Sequence, residues 1–369
     1  MRIGLLIYGR LDTLTGGYLY DRLVVREWRR RGAEVLVYSL PWRSYTRHLL
    51  DNFSPALFQT LKQARLDVLV QDELNHPSLF WLNRLLRPRI DYPLVTLVHL
   101  LGYSERRSPW QTQWVRFIER SYFRSLDGAI YNSHDSRHLV EALVGINLPG
   151  VVAHPGKDHL TVLAAPREPN HARDPSLQFI SVGNVVPRKG LHTLVAALAR
   201  LPRGNWRLQV VGSLEMDPAY VASIRRQIAA AGLVDHIDLV GQIPNERVGG
   251  YLARADLFLL VSQYEGFGIV YLEALRHGIP VVASTGGAAG EIVRHNQEGW
   301  LVPPEDPVAL GRILNDVIIR PEQLTAMRAA ALARYNDFPT WAESAAAIHD
   351  FLAGIVQAYR NNVSSPVSF

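Results

Sequence analysis

The sequence predicts an α/β protein made of two doubly wound domains, each with a parallel β-sheet. The chain has 369 residues, which is too long for one ordinary hydrophobic core. Apolar runs alternate with helical patterns in both halves, and this alternation is typical of parallel sheets covered by helices. The predicted strands cover residues 3–8, 34–38, 67–71, 94–99, 179–182, 207–211, 237–240, 257–261 and 280–283.

A proline-rich, polar segment separates the two series of strands. Residues 164–175 contain three prolines and no hydrophobic periodicity, as expected of a linker between domains. We therefore predict one domain over residues 1–168 and a second over residues 169–340. Ligands of doubly wound domains bind outside the carboxyl ends of the strands, so the residues at those ends are the candidates for function.

Composition restricts the class of protein. The chain has no cysteine, which excludes disulfides, thiolate metal sites and cysteine nucleophiles. The first apolar run, residues 3–8, is too short for a membrane span or a signal sequence, so a cytoplasmic location is expected.

Positive charge is concentrated in the first half of the chain. The formal net charge is +5, and residues 1–165 hold 21 Lys plus Arg against 15 Asp plus Glu, about +6. This bias suits an anionic acceptor or an anionic membrane surface, and it equally suits a solvated basic face. The basic residues form no dense block and no nucleic-acid module is recognisable, so nucleic acid is not an expected partner.

Two glutamates flank a predicted strand-to-helix turn. The turn holds Gly266 and Gly268 and precedes a helix predicted over residues 269–276. The first N–H groups of such a helix favour an anion such as a diphosphate. Glu265 before the turn and Glu273 in the helix can accept hydrogen bonds from hydroxyl groups on either side. A nucleotide sugar presents hydroxyls and phosphates in this arrangement.

Further motifs follow in order through the second half, at residues 182–190, 241–244, 278–283, 286–287, 291–293 and 299–304. Together with the glutamate pair they resemble the donor-binding domain of the retaining GT-B glycosyltransferases of glycosyltransferase family 4. A Glu-x7-Glu pair alone occurs by chance, but ordered motifs over about a hundred and twenty residues are specific. The resemblance implies two facing Rossmann-like domains and a C-terminal helix, within residues 341–369, that crosses back to the first domain.

The resemblance implies donor-site roles for the matched residues. Glu265 would contact sugar hydroxyls and Glu273 would hold the ribose. The backbone of Gly266, Phe267 and Gly268 would face the diphosphate.

Arg188 and Lys189 follow a predicted strand and a proline turn. Two cations there can neutralise a diphosphate as it leaves, and the resemblance gives Lys189 this role. Many relatives have an arginine after Gly183, whereas this chain has Asn184. Either Arg188 replaces that arginine or the diphosphate is held less tightly; the alternative for Arg188 is a plain surface turn.

In the first half, Thr15, Gly16 and Gly17 follow the first strand and open a helix predicted to run to about Arg31. These glycines can form a second anion-facing loop, and the family has its glycine loop here. His99 ends an apolar strand, where the family pattern places a histidine beside the transferred sugar. We expect His99 to position the sugar by hydrogen bonding without forming a covalent bond.

Three further residues are candidates for binding the acceptor. Asp72, Glu73 and His76 follow the third strand and could orient a hydroxyl group, although loop carboxylates are commonly just solvated. The segment 110–124 carries aromatic residues and arginines at helical spacing. It is interpreted as an ordinary packing helix, and a peripheral contact with the inner face of a membrane stays open as the alternative.

The predicted activity is that of a retaining hexosyltransferase, with a UDP-sugar preferred over a GDP-sugar as donor. The acceptor is a hydroxyl group of a lipid, glycan or small molecule. No cofactor is expected because the nucleotide sugar is a substrate. No metal site is expected either, and His134 and His138 are interpreted as structural. The alternatives are a GT-B nucleotide-sugar epimerase and a non-catalytic nucleotide-sugar-binding protein.

Overall fold

The computed structural model describes residues 1–13, 15–104, 108–159, 176–202 and 204–364. The chain forms two compact units. The first unit combines Met1–Gly156 with the C-terminal segment from Pro339, and the second unit is Lys157–Phe338. The units therefore divide after Gly156, earlier than the predicted boundary at residues 168 and 169. That boundary and the whole predicted linker, residues 164–175, lie in the range 160–175, outside the described residues.

The first unit contains a parallel sheet of six strands. In chain order these are β1 Arg2–Tyr8, β2 Glu34–Leu40, β3 Val68–Asp72, β4 Leu94–Val98, β5 Gly128–Tyr131 and β6 Gly150–Val152. They lie in the order β2-β1-β3-β4-β5-β6, and every neighbouring pair is parallel. The central strands β3 and β4 are buried along their whole length, and most of their residues are apolar.

The second unit contains another parallel sheet of six strands. These are β7 Leu177–Val182, β8 Trp206–Val211, β9 Ile237–Gly241, β10 Leu257–Leu260, β11 Val281–Ser284 and β12 Gly299–Val302. Their order is β12-β11-β10-β7-β8-β9, again with parallel neighbours. The chain thus starts in the middle of the sheet, builds one side and then returns to build the other.

Helices connect the strands. They are α1 Gly16–Arg30, α2 Tyr45–His48, α3 Pro55–Gln63, α4 His76–Leu79, α5 Leu82–Leu86, α6 Pro109–Phe123, α7 His134–Val144, α8 Leu191–Leu198, α9 Pro218–Ala230, α10 Asn245–Leu252, α11 Ile269–Arg276, α12 Ala289–Ile292, α13 Pro307–Ile319, α14 Gln323–Asn336 and α15 Trp341–Ser364. Among the described residues, none of these helices is both long and apolar enough to cross a lipid bilayer.

The last helix, α15, belongs to the first unit. Its first residue, Trp341, is fully buried and packs edge-on against Tyr20 of α1, with ring centroids 5.3 Å apart. The backbone of Trp341 also lies so close to Gly156 that a side chain there would overlap it. The C-terminal helix that was expected to return to the first domain is confirmed.

The predicted alternation of strands and helices is confirmed in both units, with three strands missed. The missed strands are β5, β6 and β12, of four, three and four residues. Their apolar runs are short, and all three begin with a glycine, so they resemble turns more than strands. Residues 299–302 had been recognised only as part of a family motif.

Candidate functional site

In the second unit the candidate site lies where the chain stops adding strands on one side of β7 and begins to add them on the other. The strands β7 and β10 are neighbours, although β8 and β9 lie between them in the chain. The two loops leaving their carboxyl ends are therefore adjacent, as at the ligand-binding switch point of doubly wound sheets. These loops carry Lys189 and Glu265.

The loop after β10 is held in place by a pair of glycines. Glu265 donates its backbone N–H to the carbonyl of Gly286 (3.0 Å), and its own carbonyl accepts from Ala288 (2.9 Å). Gly287 has a φ of 86°, and a Cβ there would overlap the carbonyl oxygen of Glu265. Only glycine therefore fits beside Glu265 at this position.

The side chain of Glu265 accepts two hydrogen bonds and forms an ion pair with a second cation. Its Oε2 lies 2.7 Å from Nζ of Lys189 and 3.0 Å from Oγ of Ser262. Arg188 lies 3.5 Å from the same oxygen and donates to the carbonyl of Tyr264 at 2.8 Å. Arg188 is thus tied to the loop of Glu265 and is not a plain surface turn residue.

Two cations dominate the electrostatics of this carboxylate. Burial alone would raise the pKa of Glu265, but Lys189 and Arg188 outweigh burial and lower the pKa to about 2. Burial lowers the pKa of Lys189, and the charge of Glu265 opposes this shift. Glu265 is therefore an ionised hydrogen-bond acceptor at neutral pH.

The turn between β10 and α11 has the predicted form, and α11 spans the predicted residues 269–276. Gly268 precedes the helix with a φ of 94°, a left-handed conformation that suits glycine. Gly266 is buried, and Phe267 is buried with its ring edge-on to Phe338. The side chain of Phe267 thus belongs to the core, and a ligand would meet its backbone.

Glu273 has a partner that the sequence did not suggest. It lies in the second turn of α11, is 8% exposed, and its Oε1 is 2.8 Å from Nε2 of His159. The two residues are separated by 114 positions, and no local pattern links them. His159 fixes the orientation of the Glu273 carboxylate.

Asn184 does not take the place of the family arginine. Its Oδ1 accepts the backbone N–H of Ser213 at 3.2 Å, so its side chain joins two loops of the sheet edge. Among the residues at this edge, Arg188 and Lys189 supply the positive charge.

In the first unit, Gly17 and His99 are in contact. Thr15 caps α1 by accepting the N–H of Tyr18 at 3.4 Å, and Gly16 begins the helix. A Cβ on Gly17 would lie 3.4 Å from Cδ2 of the His99 ring, so the helix start packs directly on the imidazole. His99 follows β4 immediately and is 9% exposed.

A buried carboxylate that the sequence analysis missed holds this histidine. Oδ1 of Asp21, in α1, lies 2.9 Å from Nε2 of His99, and Asp21 is 1% exposed. Burial alone would lower the pKa of His99, but Asp21, Glu73 and Asp72 raise it to about 9. His99 is therefore an imidazolium near neutral pH, a donor at both ring nitrogens.

The three acceptor candidates are buried around His99. Glu73 accepts the backbone N–H groups of His99 (2.8 Å) and Leu100 (3.2 Å). His76 bonds the carbonyl of Glu73 through Nδ1 (2.9 Å) and the hydroxyl of Tyr45 through Nε2 (3.2 Å). Burial raises the pKa of Asp72 to about 7, with a further contribution from the charge of Asp21. Burial and the charge of Asp72 also raise the pKa of Glu73 well above its ordinary value.

Three of these residues are close enough to share a metal ion. Donor atoms of Asp21, Asp72 and His99 lie within 4.8 Å of one another. A protonated imidazole cannot ligate a metal, however, and the raised pKa of His99 keeps it protonated near neutral pH. Without an ion the set forms a buried ion-pair cluster, and a metal ion would have to displace the proton of His99 to bind there.

The family of the chain follows from two matches. Residues 165–334 match the family described as "Glycosyl transferases group 1", and residues 12–156 match the "Glycosyl transferase 4-like domain". The chain belongs to the GT-B glycosyltransferases of family 4. The family predicted from the motifs is thereby confirmed.

Curated relatives of this family-4 chain act on different acceptors. It is 30% identical over 184 residues to a GDP-mannose-dependent α-(1-6)-phosphatidylinositol monomannoside mannosyltransferase of Mycobacterium tuberculosis, covering 47% of each chain. It is 30% identical over 262 residues to glycogen synthase of the same species, covering 66% of this chain and 58% of that one. The chain spans about half the length of the curated relatives it matches.

Solved structures share the fold of this family-4 chain over almost its whole length. Sucrose-phosphate synthase from Thermosynechococcus elongatus matches with a TM-score of 0.82 at 21% identity, covering 97% of this chain and 99% of that one. Anabaena HepE in complex with UDP and glucose matches with a TM-score of 0.76 at 21% identity, covering 96% and 100%. Identities of this size show the fold, and the predicted GT-B fold is confirmed.

Proposed function

We propose that this chain is a retaining glycosyltransferase that moves a hexosyl group from a nucleotide diphosphate sugar to a hydroxyl acceptor. The observation that carries the proposal is the 2.7 Å contact between Lys189 and Glu265, at the switch point of the second sheet. It joins a hydroxyl-binding carboxylate to a diphosphate-binding cation. Membership of family 4 supports the same conclusion.

The two glutamates bind opposite ends of the donor. Glu265 is ionised, with a pKa of about 2, and accepts hydrogen bonds from hydroxyls of the sugar. Glu273, oriented by His159, accepts hydrogen bonds from the ribose. The backbone of Gly266, Phe267 and Gly268 and the start of α11 meet the diphosphate between them, where the helix dipole favours an anion.

Lys189 and Arg188 stabilise the leaving diphosphate. The ammonium group of Lys189 has three donors, and the contact with Glu265 uses one of them. The remaining donors can turn to phosphate oxygens while Glu265 keeps the group in position. Positive charge held where negative charge grows stabilises the transition state.

The reaction proceeds on one face of the sugar. The bond between the anomeric carbon and the diphosphate oxygen breaks, and the acceptor oxygen forms its bond to that carbon on the same side. A donor phosphate oxygen takes the acceptor proton, so no protein nucleophile is needed. For the first unit we propose that Gly16 and Gly17 bind donor phosphate and that His99 donates a hydrogen bond to the sugar through Nδ1.

We propose that the acceptor binds beside the buried cluster formed by His99, Asp72 and Glu73. The contacts of Glu73 and His76 support positioning roles, since Glu73 fixes the backbone of His99 and His76 fixes Glu73. Asp72 stays the candidate for the acceptor hydroxyl because its pKa of about 7 lets it hold or release a proton.

The relatives point to two different donor nucleotides. The solved HepE structure contains UDP and glucose, which supports a UDP-sugar, whereas the mannosyltransferase relative is named as GDP-mannose-dependent. We favour a UDP-sugar. A panel of UDP- and GDP-sugars, screened by thermal shift and then by release of nucleoside diphosphate, identifies the donor.

Product analysis tests the reaction. The donor is incubated with and without lipid, glycan and small-molecule acceptors, and the anomeric configuration of any product is determined by NMR. A product that requires an acceptor and keeps the donor configuration supports the proposal. An inverted product refutes retention, epimerised donor supports the epimerase, and donor binding without any turnover supports the non-catalytic alternative.

A further inference from the structure

The helix α6 has two different faces. Val115, Ile118, Tyr122 and Phe123 are buried, and they pack the helix onto the first unit. On the opposite face three large aromatic side chains are exposed. Trp110 is 70% exposed, Trp114 48% and Phe117 58%.

These three residues, here called the aromatic face, form one continuous stripe. Their spacing of four and three residues places them on the same side of the helix. The rings of Trp114 and Phe117 stack with their centroids 6.1 Å apart. Soluble proteins seldom expose contiguous apolar groups of this size unless the surface binds something.

The exposed charges that α6 and its C-cap residue place beside the aromatic face are positive. Arg116, Arg120 and Arg124 are exposed and follow one another along the helix at spacings of four residues. The acidic residue of α6, Glu119, is buried and accepts the backbone N–H groups of Gly102 (2.6 Å) and Tyr103 (3.3 Å). The outer surface of α6 therefore presents aromatic rings flanked by positive charge alone.

We propose that the aromatic face of α6 docks on an anionic phospholipid surface. Tryptophan and phenylalanine rings insert at the boundary between lipid headgroups and acyl chains, while arginines bind the phosphates. The interpretation of segment 110–124 as a plain packing helix accounts for its buried side only. The proposal does not depend on glycosyl transfer. It concerns the exposed side of α6, whereas the candidate site residues of the first unit lie on the other side of the buried face of this helix.

Binding to vesicles tests the proposal. The full chain is sedimented with vesicles of phosphatidylcholine alone and with vesicles that also contain phosphatidylglycerol. We expect binding to the anionic vesicles that weakens with salt. The double variant Arg116→Gln/Arg120→Gln should bind them about thirtyfold more weakly, given the usual contribution of an arginine near an anionic surface. Arg124 is left in place because it also donates to the carbonyl of Val144 at 3.0 Å.

The aromatic residues are tested against a matched control. The triple variant Trp110→Gln/Trp114→Gln/Phe117→Gln should lose sedimentation with the anionic vesicles, while its melting temperature stays near that of the wild type. The control Met216→Gln/Val234→Gln/Ile319→Gln changes three residues of the second unit that are 59%, 64% and 65% exposed. It should bind vesicles like the wild type.

A spectroscopic measurement tests insertion separately. Brominated phosphatidylglycerol should quench tryptophan fluorescence of the wild type, and Trp110→Phe/Trp114→Phe should still bind but be quenched less. Equal binding to neutral and anionic vesicles, or unchanged binding of the triple variant, overturns the proposal. The proposal is also overturned if the wild type binds no lipid but forms a dimer that the triple variant does not form. The aromatic face would then bind a second copy of the chain.

Discussion

Nζ of Lys189 lies 2.7 Å from Oε2 of Glu265, although the two residues are 76 positions apart in the chain. They meet because the sheet order brings β7 beside β10, so the loops after both strands share one edge. The contact keeps Glu265 ionised and holds the Lys189 ammonium at the edge of the sheet where we propose that the diphosphate binds. The following predictions concern this pair and the residues that support it.

Replacing Lys189 should slow turnover while leaving the fold intact. We expect Lys189→Ala to lower kcat by about a hundredfold to a thousandfold, the usual effect of removing one group that stabilises transition-state charge. Lys62→Ala is the matched control, since Lys62 is an exposed lysine at the end of α3. Steady-state kinetics with the identified donor gives the ratio. A kcat within twofold of the wild type would remove Lys189 from the mechanism.

Gly287 should tolerate no side chain. With its φ of 86° and the Glu265 carbonyl against it, Gly287→Ala should lower the free energy of unfolding by about 1–3 kcal/mol and weaken donor binding. Gly290→Ala is the control, because its nearest neighbour is Cδ1 of Leu301 at 3.8 Å. Denaturant unfolding and donor titration measure both effects. Normal donor affinity in Gly287→Ala would show that the Glu265 loop is not fixed by this contact.

Glu273 should contribute to donor affinity more than to chemistry. Glu273→Gln removes a charged acceptor for the ribose, so KM for the nucleotide sugar should rise about tenfold to a hundredfold with kcat changed little. His159→Gln should give a smaller rise, because it only loosens the carboxylate. If Glu273→Gln instead lowers kcat at unchanged KM, Glu273 does not bind the ground-state donor.

The stability of the first unit should fall as the pH rises above neutral. The pKa of His99 in the fold is about 9, above its ordinary value of 6.5, so its protonation stabilises the fold below pH 6.5 and this contribution is lost towards pH 9. The pKa of Asp72, raised from 3.8 to about 7, adds a loss of the same sign at lower pH. Thermal melting measured across this range should show the decline.

Asp21→Asn should flatten that decline. The variant removes a charge that raises the pKa values of both His99 and Asp72, so both should move towards their ordinary values. It should also shift the alkaline limb of the activity profile, which a purely structural substitution would not do. Asp12→Asn, at an exposed aspartate paired with Arg10, is the control and should leave both profiles unchanged. A shift of equal size in the control would argue against the His99 assignment.

Activity should not need a divalent ion. Lys189 and Arg188 supply positive charge next to Glu265, so the leaving diphosphate can be neutralised by side chains of the protein. Dialysis against EDTA is expected to leave kcat unchanged. Loss of activity that Mg²⁺ or Mn²⁺ restores would contradict this expectation.

Much of the fold and of the second unit's site could be predicted because the signals are local. The strand, turn and helix around Glu265 lie within about twenty consecutive residues, and each step follows from apolar runs and glycines. Short strands such as β5 and β6 give too few residues for a pattern. Their pairing is decided by neighbouring strands that only the folded sheet supplies.

Residues that act through distant partners could not be found in this way. Asp21 lies in α1 like any polar helix residue, and its partner His99 is 78 positions away. His159 pairs with Glu273 over a similarly long separation. For α6 the local pattern predicted the helix correctly. Which of its side chains stay exposed could not be predicted, because that depends on how the rest of the unit packs against it.

The position of α15 also determines the order in which the protein can be completed during synthesis. The first unit is assembled from both ends of the chain, so Trp341 emerges from the ribosome only after the whole second unit has been made. Until then Tyr20 lacks the ring that covers it. The second unit can therefore fold while the surface of the first unit that α15 covers is still exposed. A nascent chain that ends before α15 would leave this surface open to chaperones and proteases.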